Sequence, residues 1–336
     1  MWEIVINGVS YTKHFQQIQW SGDIKGSARR LECEYTDTFP VLVKTGDKVY
    51  LKHNFKTLFI GKVFTVTRYA TKGVFKFVAY DNAIYLNKNR FVKNIYNMQP
   101  SQIVKQICAE IGIEVGELPQ DKIKCSYPAI NRTGYEIILQ AYTIQHKKDK
   151  VVYSVVCKGE NIVIANQGHL LGVKLNSMED IQDAEYRQSI EDMVNQIVVY
   201  KTDGEKLQIM DKVANEEDKK KYGIFQDVME FDKEQNNLYN AREMLKGLEQ
   251  KANITVIGNT DLISGYSVSI EENSTKLIGN FLIEMDKHVV ENGNYHTILE
   301  LSFENKMDKV EFDEFKRKKK KESAFEQAWN EASKWV

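Results

Sequence analysis

Apolar and polar positions alternate along much of the first eighty residues, with the period of two that marks half-buried strands. In Arg30 to Tyr35, Leu31, Cys33 and Tyr35 alternate with Arg30, Glu32 and Glu34. Gly46-Asp47 predicts a turn before Val49-Tyr50-Leu51. Gly61, inside the run Leu58 to Phe64, predicts a bulge or a tight barrel bend. Phe75, Phe77 and Ala79 alternate up to Asp81, and strands at this spacing predict a small barrel or sandwich.

Around Asn82 the period changes. Ile103, Val104, Ile107, Cys108 and Ile111 recur at helical spacing, with Ser101 as the expected cap and Gly112 as the expected stop. A second helix is predicted from near Thr133, with Ile137, Ile138, Ala141 and Tyr142 on one face, then two strands, Val151 to Val156 and Asn161 to Ala165. Met178 to Asp192 suggests an acidic linker. Gln196 to Tyr200 opens a second β region, and Asn215 to Tyr222 is a charged loop or a short helical turn. A helix is predicted from Asn236 to Lys251, with Leu238, Ala241, Leu245 and Leu248 as its packing stripe.

The last strands are the most informative. Gly258-Asn259-Thr260-Asp261 forms a turn and Gly265 follows. Asn292-Gly293 then separates two alternating runs, a strong hairpin signal because both residues tolerate positive φ. One extra loop or bulge residue gathers Phe281, Ile283, Met285, Val289, Tyr295, Leu299, Leu301 and Phe303 on one face. It leaves Glu284, Asp286, His288, His296 and Glu300 outside. Beyond Asn305 the chain becomes basic at Lys316 to Lys321, and Phe325, Ala328, Trp329, Ala332 and Trp335 then recur at helical spacing. The basic run by itself is a solvated face. The tryptophan-bearing face formed by Phe325, Trp329, Ala332 and Trp335 is expected to dock on a neighbouring protein.

The expected architecture is α+β and rich in strand. It comprises a β-barrel domain over 1–95, an α/β domain over 96–179, a second β-barrel with a packing helix over 180–305, and a helical extension over 306–336. At 336 residues, two or three domains fit, and 42% apolar content supplies their cores. The 46 basic and 47 acidic residues nearly cancel, which argues against a nucleic-acid surface. The four cysteines form no CxxC pair, so reduced thiols are expected. No segment approaches the roughly 20 apolar residues of a membrane span, and Met1-Trp2-Glu3 leads directly into a strand pattern without a signal peptide. Assembly in the cytoplasm is expected.

Candidate chemistry is sparse. There is no GxSxG, GxxxxGK[ST] or GxGxxG motif. His288 and His296 beside Glu284, Asp286 and Glu300 carry ligand types suited to zinc or iron, but an ordinary outward strand face explains them as well. Cys33, with His14 or His53, could suggest a thiol nucleophile, yet it falls on the apolar alternation and is expected to be a buried hydrophobe. Two acids of a glycosidase pair are never scarce among 47. No enzyme activity, cofactor or metal is therefore assigned.

Five segments together resemble the tail hub proteins of contractile phages and phage-derived particles, of the XkdQ type, related to late control protein D and to the hub portion of VgrG. They are Gly46-Asp47-Lys48-Val49-Tyr50-Leu51 leading to Phe59-Ile60-Gly61-Lys62-Val63; Asp81 to Leu86 with the helix at Ser101; Asn195-Gln196-Ile197-Val198-Val199 with Lys221-Tyr222-Gly223; Gly258-Asn259 with Gly265-Tyr266-Ser267-Val268; and Asp286-Lys287-His288 with Gly293 and His296-Thr297-Ile298-Leu299. The resemblance implies a homotrimer of paired barrels that adapts a hexameric tail tube to a trimeric central spike. Baseplate wedge proteins and the tape-measure protein would be further partners. Assembly would take place in the host bacterial cytoplasm, with the product in the tail of a phage or a phage-tail-like bacteriocin. Gly46, Asp47, Gly61, Asp81, Gly258, Gly265, His288, Gly293 and His296 carry structural roles in this picture. A β-barrel module that binds carbohydrate or peptidoglycan is the alternative.

Overall fold

The computed structural model describes residues 1–310 except 12–13, 37–41, 71–72, 205, 234–235, 306 and 309. The chain divides into two compact units: Met1–Gln167 with the described residues after Asn305, and Gly168–Asn305. The ends of the second unit meet. Gly168 donates its N–H to the Gly265 carbonyl at 2.7 Å, and a Cβ on Gly168 would fall 2.5 Å from the Asn305 side chain.

In the first unit, β1 (Trp2–Ile6), β2 (Val9–Tyr11), β3 (Phe15–Asp23), β4 (Gly26–Thr36), β5 (Lys48–His53), β6 (Lys56–Arg68) and β7 (Val74–Tyr80) form an antiparallel run ordered β3-β4-β7-β6-β5-β1-β2. Its inward positions include Ile4, Trp20, Leu31, Cys33, Tyr35, Leu51 and Phe77, all buried. The alternation of Leu31, Cys33 and Tyr35 is therefore the pattern of a core face.

Next come α1 (Ile84–Lys88), β8 (Arg90–Met98), α2 (Pro100–Glu110), β9 (Cys125–Thr133), α3 (Gly134–Asp149), β10 (Tyr153–Lys158) and β11 (Asn161–Asn166). β8 pairs with β9 and β10 with β11, both antiparallel. Ile103, Val104 and Ile107 of α2 share a core with Ile137, Ile138 and Tyr142 of α3, and Met307 returns to it. Thr133 starts α3 as expected. Its hydroxyl accepts the Glu136 N–H, and the Glu136 carboxylate accepts the Thr133 N–H. The cap of α2 is Gln99 and not Ser101, because Pro100 suits the first helical position, while the Ser101 hydroxyl donates to Asp121 at 2.6 Å.

In the second unit, β12 (His169–Asn176), β13 (Ile181–Ser189), β14 (Gln196–Asp203), β15 (Lys206–Ala214), α4 (Glu216–Tyr222), β16 (Gln226–Glu230), α5 (Asn237–Glu243), β17 (Glu249–Ile257), β18 (Tyr266–Glu272), β19 (Leu277–Glu291) and β20 (Asn294–Ser302) follow in order. Six of them form a run β13-β17-β20-β19-β18-β12, antiparallel except for the parallel pair β12–β18. A small sheet, β15-β14-β16, packs Ile197 and Val199 against Ala241 of α5.

Neither barrel expected from the sequence exists: among the described residues no sheet closes on itself. In the first unit no ladder joins β2 to β3 among the described residues, and a three-residue β2 is too short to pair along the nine residues of β3. In the second unit β12 and β13 are separated only by 177–180, yet they do not pair. Asp180 instead accepts the Asn176 N–H on its side chain and the Ile257 N–H on its carbonyl, which folds the connection on itself. The carbohydrate-binding alternative assumed a barrel and loses its scaffold with it. Two further expectations change. The supposed acidic linker contains β13, and the long helix at 236–251 shrinks to α5, because Glu249–Ile257 pairs with β13 and β20. The helical extension expected after 306 lies almost wholly outside the described residues.

Candidate functional site

The hairpin β19–β20 carries a cluster of buried polar side chains, Asp286, His288 and Thr297. Asn292 and Gly293 take φ of 51° and 80°, so the turn has two residues, and Glu291 faces Asn294. The extra residue predicted near the turn sits farther along, at Glu284, between the pairs Ile283–Leu301 and Met285–Glu300. That position reverses the faces of the intervening residues. His288 pairs with Thr297 and Asp286 with Leu299, so both polar side chains point inward and are buried. His296 pairs with Val289 and lies on the opposite face from His288, contrary to the sequence expectation.

Inside, the His288 Nε2 lies 3.2 Å from the Asp286 carboxylate, and its Nδ1 lies 2.9 Å from the Tyr295 hydroxyl and 3.2 Å from the Thr297 hydroxyl. Asp286 also accepts the Ser264 N–H at 2.7 Å, and Thr297 accepts the Asn259 N–H at 3.2 Å. The two glycines singled out by sequence belong to the same knot. Gly258 donates to the Tyr295 carbonyl at 3.0 Å, and a Cβ there would lie 2.1 Å from the Tyr295 ring. Gly265 has a φ of 92° and donates to Ile283. Burial pushes the Tyr295 hydroxyl well above the usual tyrosine range, reinforced by the charges of Asp286 and Asp261 against the opposing bond from Thr297. A neutral phenol suits a hydrogen-bonding role. Sequence reading missed Tyr295 and Thr297 as partners of His288; the available signal was the two-residue Asn-Gly turn, which sets their register.

In the first unit, Gly46 turns the chain at φ 89°, and Asp47 fastens the turn. Its carboxylate accepts the Lys44 N–H at 2.8 Å and the Asn7 side-chain amide at 3.0 Å. Gly61 sits where a Cβ would meet the Tyr80 carbonyl oxygen at 2.3 Å, so β6 and β7 approach too closely there for any side chain. Asp81 is buried and accepts the Arg29 N–H at 3.1 Å and the Ala83 N–H at 3.0 Å. Its desolvation outweighs those bonds and raises the carboxyl to about 7. Arg29 stacks over Trp20 at 4.2 Å, and with Cys157 and Phe59 it lines a small cavity beside Asp81.

Cys33 is fully buried between Ile18 and Phe77, and burial raises its thiol well above the ordinary value. No group of three or more His, Cys, Asp or Glu side chains is placed to hold a metal among the described residues. No helix among them is long and apolar enough to cross a membrane. Exposed apolar residues include Val92, Tyr96 and Ile130 on the outer face of β8–β9 and Phe55 at the tip of β5–β6. Phe325, Trp329, Ala332 and Trp335 lie outside the described residues.

The sequence of residues 18–302 matches the family model described as YQBQ-like. No curated protein sequence matches the chain. Among solved structures, the 43 kDa tail protein of prophage MuSo2 from Shewanella oneidensis is 14% identical with a TM-score of 0.69, the alignment covering 90% of this chain and 97% of that one. A tail protein from Neisseria meningitidis is 12% identical with a TM-score of 0.64, covering 89% and 95%. An Escherichia coli protein described as a component of the type VI secretion system, with structural similarity to bacteriophage T4 tail proteins, is 8% identical with a TM-score of 0.55, covering 92% and 79%. At such identities the likeness is one of fold.

Proposed function

The chain belongs to the YQBQ-like family, and from that premise we propose that it is a non-catalytic structural subunit of a phage tail or phage-tail-like particle, placed at the baseplate hub. The observation that carries this reading is the fold shared with two tail proteins over about nine tenths of the chain. In the finer form of the proposal, three copies close into a ring that joins a sixfold tail tube to a threefold spike. Wedge and tape-measure proteins are its other neighbours, and the ring is assembled in the cytoplasm of the host bacterium. Closure is a matter of geometry: heterologous contacts make a ring when their rotation returns to the start. The β regions over 1–95 and 180–305, as open sheets, supply the ring, with 96–179 as an α/β insertion and 306–336 as a docking extension.

The mechanism is rigidity. Glycines that admit no side chain, capped turns and the buried polar knot around His288 hold strands in fixed register, so that subunit faces keep their angles under load. Light scattering of the purified full chain tests the ring, and immunoblotting of purified particles tests the location. A mass of three protomers and a signal in the particle are expected. A monomer at concentrations of tens of micromolar would overturn the self-assembling ring, and absence from the particle would overturn the assembly role.

A further inference from the structure

Among the described residues, three hairpins turn on an Asn-X pair with both residues at positive φ. In β1–β2 the pair is Asn7-Gly8, at 48° and 86°; in β19–β20 it is Asn292-Gly293, at 51° and 80°. In β5–β6 it is Asn54-Phe55, at 48° and 68°, with His53 paired to Lys56 on either side. A left-handed backbone suits glycine, and a bulky side chain there is strained. Phe55 is also 100% exposed, so it recovers nothing by burial. The same chain thus solves the same turn twice with glycine and once with a bulky aromatic residue.

Strain and exposure at one residue point to a use outside the isolated fold. The tip is held firmly for such a use. The His53 ring stacks on Trp2 at 4.3 Å, and β5 pairs on both sides, with β1 and β6. Lys52 and Lys56 stand at the base of the turn. We propose that Phe55 is an anchor that inserts into an apolar pocket, rimmed by carboxylates, on another protein subunit of the particle. The aromatic ring supplies apolar area, the two lysines select the acidic rim, and the rigid hairpin lowers the ordering cost of docking. The inference rests on the assembly role proposed above.

The test replaces Phe55 in the full chain and reads stability and assembly separately. Phe55→Gly recreates the Asn-Gly turn and should raise the melting temperature by about 2 °C. It should lower incorporation into particles roughly thirtyfold, the loss expected of a central aromatic anchor. Lys52→Glu with Lys56→Glu should lower incorporation without that gain in stability. With p-benzoylphenylalanine at position 55, irradiation of purified particles should give a crosslink to one protein subunit at a segment containing Asp or Glu. Normal incorporation of Phe55→Gly, or a melting temperature that does not rise, would overturn the anchor while leaving the hub reading intact. Phe55-dependent binding to phosphatidylglycerol vesicles without a protein crosslink would overturn it in favour of a lipid surface. Absence of the wild-type chain from particles would overturn the hub reading, and the anchor with it.

Discussion

The His288 imidazole meets the Asp286 carboxylate at 3.2 Å on a strand face sealed from solvent. Tyr295 and Thr297 meet its other nitrogen, and the Ser264 N–H meets the other carboxylate oxygen. Asp286, His288 and Thr297 are buried, so water cannot replace the partners of these three. Replacing one partner therefore strands another, which is more damaging than the net worth of the bond itself.

Asp286→Ala should destabilise the protein by about 3 kcal/mol, since it removes the acceptor of the Ser264 N–H and the carboxylate that faces the buried His288 Nε2. Denaturant unfolding measures the difference. A loss below about 0.5 kcal/mol would mean that the knot relaxes around the vacancy.

Gly258→Ala should cost about 2 kcal/mol, because the new methyl would overlap the Tyr295 ring at 2.1 Å. The obstacle is a side chain, so adding Tyr295→Ala should give a double variant more stable than the sum of the two losses predicts, by about 1 kcal/mol. Gly61→Ala behaves differently. Its nearest obstacle is the Tyr80 carbonyl, and Phe59→Ala should give little relief. A double-mutant cycle on each pair separates the two cases.

Much of the fold was legible because local chemistry is decisive in places. Thr133 with Glu136 marks a capping box, Gly112 at φ 68° stops α2, and Asn292-Gly293 dictates a hairpin. What escaped depended on partners far along the chain. The bulge at Glu284 is set by the ladder with Leu301 and Glu300, and moving it a few residues from the turn puts Asp286 and His288 inside instead of outside. The helical spacing of Leu238, Ala241, Leu245 and Leu248 was real, but Ile254, Thr255 and Val256 pull the chain into β17 soon after Ala241. Sheet closure is less legible still. It depends on whether end strands such as β2 and β3 match in length and approach, and alternation within a strand carries no information about that.

The cysteines should report local opening. Cys33, Cys108 and Cys125 are buried, whereas Cys157 is partly buried, with its thiol pushed by that burial up to about 12. At pH 8 only about one Cys157 in ten thousand is then a thiolate. Ellman's reagent should modify one equivalent slowly in the native protein and the other three only on unfolding. Rapid release of more than one equivalent would mean a local opening, either of the core that holds Cys108 and Cys125 with α2 and α3 or of the β4 face that holds Cys33.

Asp81 makes stability depend on pH in the direction opposite to an ordinary paired carboxylate. Burial raises its folded-state value from 3.8 to about 7, against the two backbone N–H bonds from Arg29 and Ala83. Between those values the folded protein binds more protons than the unfolded chain, so its stability falls as pH rises. The contribution is complete below about pH 4 and is lost progressively toward pH 7. With a raise of about three units at about 1.4 kcal/mol each, the upper bound on the change is about 4 kcal/mol. Asp81→Asn cannot titrate. It should be less stable than the wild type at pH 4.5, where the neutral carboxyl is favoured, and should close that gap by pH 8. Urea unfolding of both proteins at the two pH values provides the check. A gap that widens with pH would mean that the two N–H donors outweigh desolvation and hold Asp81 ionised throughout.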